Sequence, residues 1–250
     1  MESGSPVHAK FGCARAKTNA MRRSVERLVL YAIGYNADMT TRKIAWVFDV
    51  ISPFAYLALH QLPLLPPDVE VRFVPVLFAK ILDHHGQMGP AEIPTKRRFT
   101  YRFSLWRARK MGIEMRLPPT HPFNPLAALR LIIAAGNSHR AIKIVFEAAF
   151  LHGQDISDAQ VIAALAADLG IADAAAALSD PAVKKQLQDN TAWALSHGVF
   201  GVPTFVIDGE LFWGQDAFEM VLDFLHKPAM FQDANMRAVD SLPVGAMRRT

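Results

Sequence analysis

Cysteine is almost absent from this sequence, and long apolar runs are missing entirely. The single cysteine, Cys13, cannot form a disulfide within the chain, so the cysteine count either indicates a reducing compartment or carries no information. No apolar run reaches the roughly 18 residues that a membrane-spanning helix needs. No set of His, Cys or acidic residues has the spacing of metal ligands. We therefore expect a cytoplasmic protein without a membrane anchor, a disulfide framework or a metal site.

Positive charge is concentrated at the beginning of the chain. The formal net charge is +4, but residues 1–43 carry eight Lys or Arg against three acidic residues, a net of +5. The remainder is nearly neutral, so we expect no nucleic-acid partner. We interpret Met39 as an alternative start and residues 1–43 as a basic, disordered tail. Import into an organelle is a weaker alternative, because the segment has no clean amphipathic face.

The first regular pattern is a strand followed by a helix and a second strand. Residues 44–51 are apolar on both faces, which indicates a buried strand. Ser52-Pro53 supplies an N-cap and a first helical residue, so a helix is predicted from Pro53 to about Leu65. A second strand is predicted at 68–76. Because such a crossover is nearly always right-handed, Ser52 should lie at the carboxyl end of a central strand, where α/β sheets bind ligands.

A long helical region follows before the strand pattern resumes. Residues 77–195 have helical patterns interrupted by loops rich in Gly and Pro. Strands are then predicted at 203–207 and 210–213 around the turn Asp208-Gly209, with a closing helix at 215–225. This order predicts an α/β, thioredoxin-like fold with a large all-helical insertion domain, as in DsbA-like proteins.

The same pattern predicts the domain boundaries. The thioredoxin-like domain is expected to be formed by residues 44–78 and 199–228 together. The helical insertion domain is expected at 79–198. After it the composition is mixed and unperiodic, so 229–250 is predicted to be a loose C-terminal tail.

Four short motifs make the sequence resemble a known branch of the thioredoxin superfamily. They are Phe48-Asp49-x-x-Ser52-Pro53-Phe54-x-Tyr56-Leu57, Gly86-Gln87-x-Gly89-Pro90 with Lys96 after it, Phe200-Gly201-Val202-Pro203-Thr204, and Trp213-Gly214-x-Asp216. In this order and at these separations they resemble the 2-hydroxychromene-2-carboxylate isomerases and kappa-class glutathione transferases. The resemblance covers residues 44–227. It implies an enzyme that binds glutathione, in a family that is often dimeric.

The site of the missing cysteines is the most informative position. Oxidoreductases of this fold resemble one another in having Cys-x-x-Cys where the first strand meets its helix, because helix amides stabilise a thiolate there. Here the four positions are Ser52-Pro53-Phe54-Ala55, which excludes direct thiol–disulfide exchange through this site. The resemblance implies that Ser52 is catalytic and lowers the pKa of the glutathione thiol by hydrogen bonding to its sulfur. The alternative is that Ser52 is only an N-cap, worth about 1 kcal/mol.

The resemblance also implies the remaining site residues. It implies a cis bond before Pro203, with Val202 binding the cysteinyl part of glutathione, while Asp216 and Lys96 pair with its amino group and a carboxylate. The alternative for both charges is a structural or solvated helix position. The other glutathione-binding residues predicted are Trp213, Gly214 and Gln215. The candidate substrate-pocket residues are Phe54, Gln87, Trp106, Phe123 and Asn124, with His121 as a further candidate that is otherwise a surface or loop histidine. The alternative for the aromatic residues is a place in the core.

Three functions follow from these predictions. The first is a glutathione-dependent isomerase that acts on an unsaturated aromatic keto acid in aromatic compound catabolism. The second is a kappa-type transferase that conjugates electrophiles, and the third is a non-catalytic protein that binds a peptide or glutathione. Glu92-Ile93 and Met111 differ from the substrate-contacting residues of a naphthalene-pathway isomerase, so the substrate stays open.

Overall fold

The computed structural model describes residues 41–246, and in this part the chain folds around a four-stranded sheet of order β2-β1-β3-β4. Strands β1 (Arg42–Phe48) and β2 (Val69–Pro75) are parallel. Strands β3 (Thr204–Ile207) and β4 (Glu210–Trp213) add antiparallel to β1 and to each other. Most of the predicted basic tail, with Cys13 and Met39, lies outside the described residues, as do residues 247–250.

Helices cover both faces of the sheet. They are α1 (Pro53–Leu59), α2 (Phe78–His85), α3 (Pro94–Met111), α4 (Leu126–Ala134), α5 (His139–Phe150), α6 (Ala159–Asp168), α7 (Ala174–Ser179), α8 (Pro181–Ser196), α9 (Phe218–His226) and the short α10 (Ala234–Ala238). The predicted fold class is therefore confirmed. In sequence, β1 precedes the helical region and β3 follows it. In the sheet, the end of β1 and the start of β3 are neighbours.

Strand β1 is apolar on both faces because each face packs on a different core. Trp46 and Phe48 point into the main core, which they share with helices of the insertion. Val47 points to the opposite face and a smaller core with Ile81 and Ala194. Successive side chains of a strand alternate between faces, so a strand covered on both sides has no polar face.

Several element boundaries differ from the sequence prediction, and β1 begins at Arg42, inside the predicted 1–43 tail. Helix α1 ends at Leu59 instead of near Leu65, and Leu62–Leu64 forms a 3₁₀ turn. Pro63 explains this, because a proline cannot donate the next helical hydrogen bond and it disfavours a helical conformation at the residue before it. Strand β1 also ends at Phe48, so that residues 49–52 form a turn before α1.

The prediction of a loose tail after residue 228 is wrong for its first part. Pro228–Gln232 forms a 3₁₀ helix and is followed by α10. The reason is Phe231, whose ring lies 6.0 Å from that of Phe212 and 5.2 Å from that of Phe224. One aromatic anchor holds this segment on the core although its sequence has no periodic pattern.

Candidate functional site

The structure brings Ser52 next to the Val202–Pro203 peptide bond, which is cis. Ser52 is the N-cap of α1, and its Oγ accepts a hydrogen bond from the Ala55 N–H at 3.2 Å. The same hydroxyl donates to the Val202 carbonyl oxygen at 3.4 Å. Ser52 and Val202 are both buried. Two segments separated by 150 residues in sequence thus meet at one point, as the motifs predict.

Both sides of this contact have hydrogen-bonding capacity left for a ligand. A hydroxyl bond of 3.4 Å is long compared with the usual 2.7–2.8 Å, so the Ser52 proton is held weakly. Within residues 41–246 the Val202 N–H makes no hydrogen bond. Helix α1 has only seven residues, so electrostatic attraction at its start depends on these local donors more than on a long helix dipole.

The segment after β4 forms the next wall of the site. The Gly214 N–H donates to the Pro203 carbonyl oxygen at 2.8 Å, which ties this segment to the cis proline. Gly214 has φ +95°, and a Cβ there would overlap the Asp216 carboxylate. Gln215 is buried, and its Oε1 has no hydrogen-bond partner among the described residues. A buried amide oxygen without a donor is uncommon, so Gln215 is a candidate to accept a hydrogen bond from a ligand.

Two exposed aromatic rings stand beside the cis proline. Trp213 is 55% exposed and its ring meets that of Phe200 edge-on at 5.2 Å. The indole lies so close over Gly201 that a Cβ at this glycine would overlap its nitrogen. Because Gly201 has no side chain, the Trp213 indole can pack closely against its backbone at the rim of the site.

Asp49 holds the turn that carries Ser52 by hydrogen bonds, a role that the sequence prediction missed. Its Oδ1 accepts from the Ile51 N–H at 3.0 Å and its Oδ2 from the Phe78 N–H at 2.9 Å, while its own carbonyl accepts from the Ser52 N–H. The side chain is fully buried, and this burial raises the pKa of the carboxyl to about 7, against the two N–H bonds that lower it. Asp49 thus joins the turn to the start of α2.

We expect the stability of the protein to depend on pH through Asp49. The unfolded carboxyl ionises near 3.8 and the folded one near 7, so the folded state binds more protons between these values and loses relative stability as the pH rises. Asp49→Asn removes this titration but leaves one N–H without an acceptor, so it should be less stable than wild type at pH 4. The stability gap between wild type and Asp49→Asn should narrow from pH 4 to 7, by at most about 1.4 kcal/mol per pH unit.

Urea unfolding at several pH values measures this gap. Asp155→Asn is the control, because hydrogen bonds from Ser157 lower the pKa of the exposed Asp155 carboxyl. The stability gap between wild type and Asp155→Asn should change in the opposite direction, because wild type should gain stability relative to Asp155→Asn as the pH rises through 4. Parallel curves for wild type and Asp49→Asn would show that Asp49 does not titrate in this range.

A row of aromatic rings leads from the Ser52 turn along α3. Phe54 lies 6.0 Å from Phe103, and Phe103 lies 5.6 Å from both Phe99 and Trp106. Phe99 is 65% and Trp106 48% exposed. We call these four residues the aromatic row. The sequence prediction included Phe54 and Trp106 but missed Phe99 and Phe103, although the spacing 99, 103, 106 on one helix face was a signal for them.

The structure does not bring every predicted pocket residue to this row. Phe123 is buried in the main core, with its ring 5.4 Å from that of His121, and therefore does not line an open pocket. The Asn124 Oδ1 accepts from the Leu126 N–H at 3.0 Å in a local turn before α4, and the residue is exposed. The pocket prediction for Phe123 is therefore corrected, whereas that for Asn124 stays a prediction.

Three other predicted residues, Lys96, Asp216 and Gln87, are exposed. Lys96 and Asp216 form no ion pair within the described part of the chain. Gln87 is exposed after α2, with its N–H bonded to the Leu82 carbonyl. Their roles in binding stay predictions. Near the start of α3, a cavity of about 400 Å³ is lined by Pro94, Thr95, Arg97, Arg98 and Tyr101.

His121 lies in the loop between α3 and α4, as the sequence predicts, but it is not a simple surface histidine. It is half-buried, and its Nε2 lies 2.7 Å from the Ile51 carbonyl oxygen, one residue before Ser52.

Between residues 41 and 246, no group of three His, Cys or acidic side chains is arranged to hold a metal ion. In the same range, no helix has the length and apolar character needed to cross a bilayer.

Comparison with known proteins agrees with this geometry. Residues 43–226 match the model of the DSBA-like thioredoxin domain. The chain is 27% identical to glutathione S-transferase kappa 2 of Caenorhabditis elegans, over 76% of this chain and 95% of that protein. It is also 27% identical to 2-hydroxychromene-2-carboxylate isomerase of Sphingobium xenophagum, over 74% of this chain and 98% of the isomerase.

A solved structure supports the same assignment of the fold. The chain resembles a structure of a 2-hydroxychromene-2-carboxylate isomerase with a TM-score of 0.65 at 24% identity, over 78% of this chain and 98% of that one. The sequence match extends over most of the chain and includes both the Ser52 turn and the cis proline. The protein therefore belongs to the family of DSBA-like thioredoxin domains, among whose members it is similar to isomerases and kappa-class glutathione transferases.

Proposed function

We propose that the protein is a glutathione-dependent isomerase of the 2-hydroxychromene-2-carboxylate type. One observation carries the proposal: a serine hydroxyl occupies the position of the attacking cysteine, 3.4 Å from the carbonyl oxygen that precedes the cis proline. A hydroxyl there cannot exchange disulfides, but it can donate a hydrogen bond to the sulfur of an external thiol. The relatives named for glutathione chemistry support glutathione as that thiol.

The residues at the site fit a small peptide such as glutathione. Peptide groups offer both N–H donors and carbonyl acceptors. These complement the Val202 N–H and the buried Gln215 Oε1, neither of which has a partner among residues 41–246. Asp216 follows Gln215 and is exposed, so it is available to an amino group. Ser52, Val202, Gln215 and Asp216 would thus hold glutathione, with Trp213 covering it from the rim and Lys96 available to a carboxylate.

Bound glutathione would supply a thiolate that adds reversibly to an activated double bond, so that rotation becomes possible before the thiolate leaves again. Ser52 would donate a hydrogen bond to the sulfur, and this bond favours the ionised thiolate over the neutral thiol. The Val202 N–H fixes the peptide part of the ligand beside Ser52. Because both groups are buried, their hydrogen bonds are stronger than the same bonds in water.

The substrate side of the proposal is supported by the aromatic row. Stacked, partly exposed rings suit a flat aromatic substrate, and the row begins at Phe54, two residues from Ser52. Arg97 and Arg98 at the cavity beside Tyr101 are available to a carboxylate. An unsaturated aromatic keto acid has the flat ring that the aromatic row would bind, whereas Arg97 and Arg98 lie on a different face of α3.

A conjugating kappa-type transferase is the second candidate. It is favoured by the C. elegans relative, which matches this chain at the same 27% identity as the Sphingobium isomerase. The same site residues would serve both reactions, since the two differ only in whether the thiol leaves again. A cytoplasmic location, a homodimer and a non-catalytic binding role stay predictions.

Two measurements test the proposal. Titration calorimetry with glutathione should show one binding site per chain, and no binding would overturn the proposal in favour of a repurposed scaffold. With glutathione and an unsaturated aromatic keto acid, mass spectrometry should show a product of unchanged mass and glutathione that is not consumed. An accumulating adduct, whose mass is the sum of both molecules, would instead establish the transferase.

A further inference from the structure

His121 connects the helical insertion to the turn that carries Ser52. Its Nε2 lies 2.7 Å from the Ile51 carbonyl oxygen, and its Nδ1 lies 2.7 Å from the Tyr101 hydroxyl on α3. The Tyr101 hydroxyl also lies 2.8 Å from the carbonyl oxygen of His121 itself. The contact between His121 and Ile51 spans 70 residues of sequence, so it is specific to the folded chain.

The partners determine where the protons of this network are. A carbonyl oxygen can only accept, so Nε2 must carry a proton to bond with Ile51. Burial lowers the pKa of His121, which favours the neutral ring. A neutral ring with its proton on Nε2 has an acceptor at Nδ1, so the single Tyr101 hydroxyl proton is shared between Nδ1 and the His121 carbonyl oxygen. The Ile51 carbonyl selects the Nε2–H tautomer, and the Tyr101 hydroxyl favours the same tautomer by donating to Nδ1.

His121 completes the hydrogen bonding of the Ile51–Ser52 peptide. Asp49 accepts from the N–H groups of both Ile51 and Ser52, and His121 donates to the Ile51 carbonyl. Without His121 this carbonyl would have no donor among the described residues, and the peptide would be held only through its Ser52 N–H, which donates to the Asp49 carbonyl. A rotated peptide would move Ser52 away from the Val202 carbonyl.

We infer that His121 is a positioning residue for Ser52, and that Tyr101 acts through it by holding the imidazole in the Nε2–H tautomer. The inference rests on the proposed function for its consequence, since a displaced Ser52 would donate poorly to the glutathione sulfur. In this role His121 contacts neither glutathione nor the substrate. The insertion domain would thus contribute to activating the thiol as well as to binding the substrate.

Three variants test the inference. His121→Leu should lower glutathione-dependent turnover at pH 7 about tenfold, with much of the loss recovered at alkaline pH, where the thiol ionises without help. His121→Gln keeps an amide N–H for the Ile51 carbonyl and should retain most of the activity. Tyr101→Phe should give a smaller loss, because the ring can then adopt either tautomer. His60→Leu, which removes a ring packed on Tyr56, is the control and should be unchanged.

The readouts separate this inference from the proposed function. The thiol pKa of bound glutathione, measured by the ultraviolet absorbance of the thiolate, should rise in His121→Leu and stay low in His121→Gln. If wild type does not bind glutathione, both proposals fail. If wild type lowers the thiol pKa and folded His121→Leu lowers it equally, only the positioning role fails. Nitrogen-15 NMR of wild-type His121 should show the Nε2–H tautomer, and the opposite tautomer would also overturn the role, whether or not His121→Leu folds.

Discussion

Replacing Ser52 by alanine should lower glutathione-dependent turnover about 10- to 100-fold at pH 7. A hydrogen bond to a charged group contributes about 1.5–3 kcal/mol, and each 1.4 kcal/mol corresponds to a factor of ten. Without the Ser52 hydroxyl, less of the bound glutathione is ionised at neutral pH. The loss should therefore shrink as the pH is raised towards the ordinary pKa of a thiol. Steady-state kinetics over a range of pH measures both effects.

Ser138 provides a matched control for the structural role of Ser52. It is the N-cap of α5, and its Oγ accepts from the Ala141 N–H at 3.2 Å, the same distance as in the Ser52 cap. Ser52→Ala and Ser138→Ala should each cost about 1 kcal/mol of stability, as expected for a lost cap. Only Ser52→Ala should change turnover. If both variants retain full turnover, Ser52 is a cap and nothing more.

Replacing Phe146 by alanine should lower the free energy of unfolding by about 3–5 kcal/mol. Phe146 on α5 is fully buried, and its ring lies 5.9 Å from that of Phe48 and 6.3 Å from that of Tyr56. Its loss leaves a cavity where a helix of the insertion meets both β1 and α1. Urea unfolding followed by tryptophan fluorescence and by circular dichroism measures the change.

Phe99→Ala is the control of the same residue type. Because Phe99 is 65% exposed, its removal should change stability by no more than about 0.5 kcal/mol. The two spectroscopic probes should report one shared transition for both variants, because the insertion and the sheet share one core. Separate transitions, or a loss below 1 kcal/mol in Phe146→Ala, would show that the two parts are stabilised independently.

Much of the fold was predictable because its signals are local. The turn between β3 and β4 is set by Asp208 and Gly209, both of which have positive φ, a conformation that these residue types tolerate. Helix α8 begins at Pro181 after Asp180, whose Oδ1 accepts from the Ala182 N–H at 2.7 Å. Each of these features depends on neighbours in sequence, so a single sequence is sufficient to recognise it.

The missed features depend on partners far away in the sequence. Asp49 bonds to the Phe78 N–H 29 residues later, and His121 bonds to the Ile51 carbonyl 70 residues earlier. Asp49 is recognisable only as part of a motif and His121 only as a candidate pocket residue, because the contacts that define their roles are not visible in the sequence. The proximity of Ser52 and Val202 is also long-range, and it was predictable only through the resemblance of the motifs.

The candidate site is divided between two parts of the chain that can change separately. Ser52, Val202 and Gln215 all lie outside the predicted insertion at 79–198, whereas Phe99, Phe103 and Trp106 all lie inside it. Under the proposed function, substitutions in the insertion would alter the choice of substrate while the proposed glutathione-binding residues stay the same. A chimaera that carries the insertion of a relative should inherit the substrate range of its donor, provided that it keeps a histidine and a tyrosine at positions 121 and 101 to hold the serine turn.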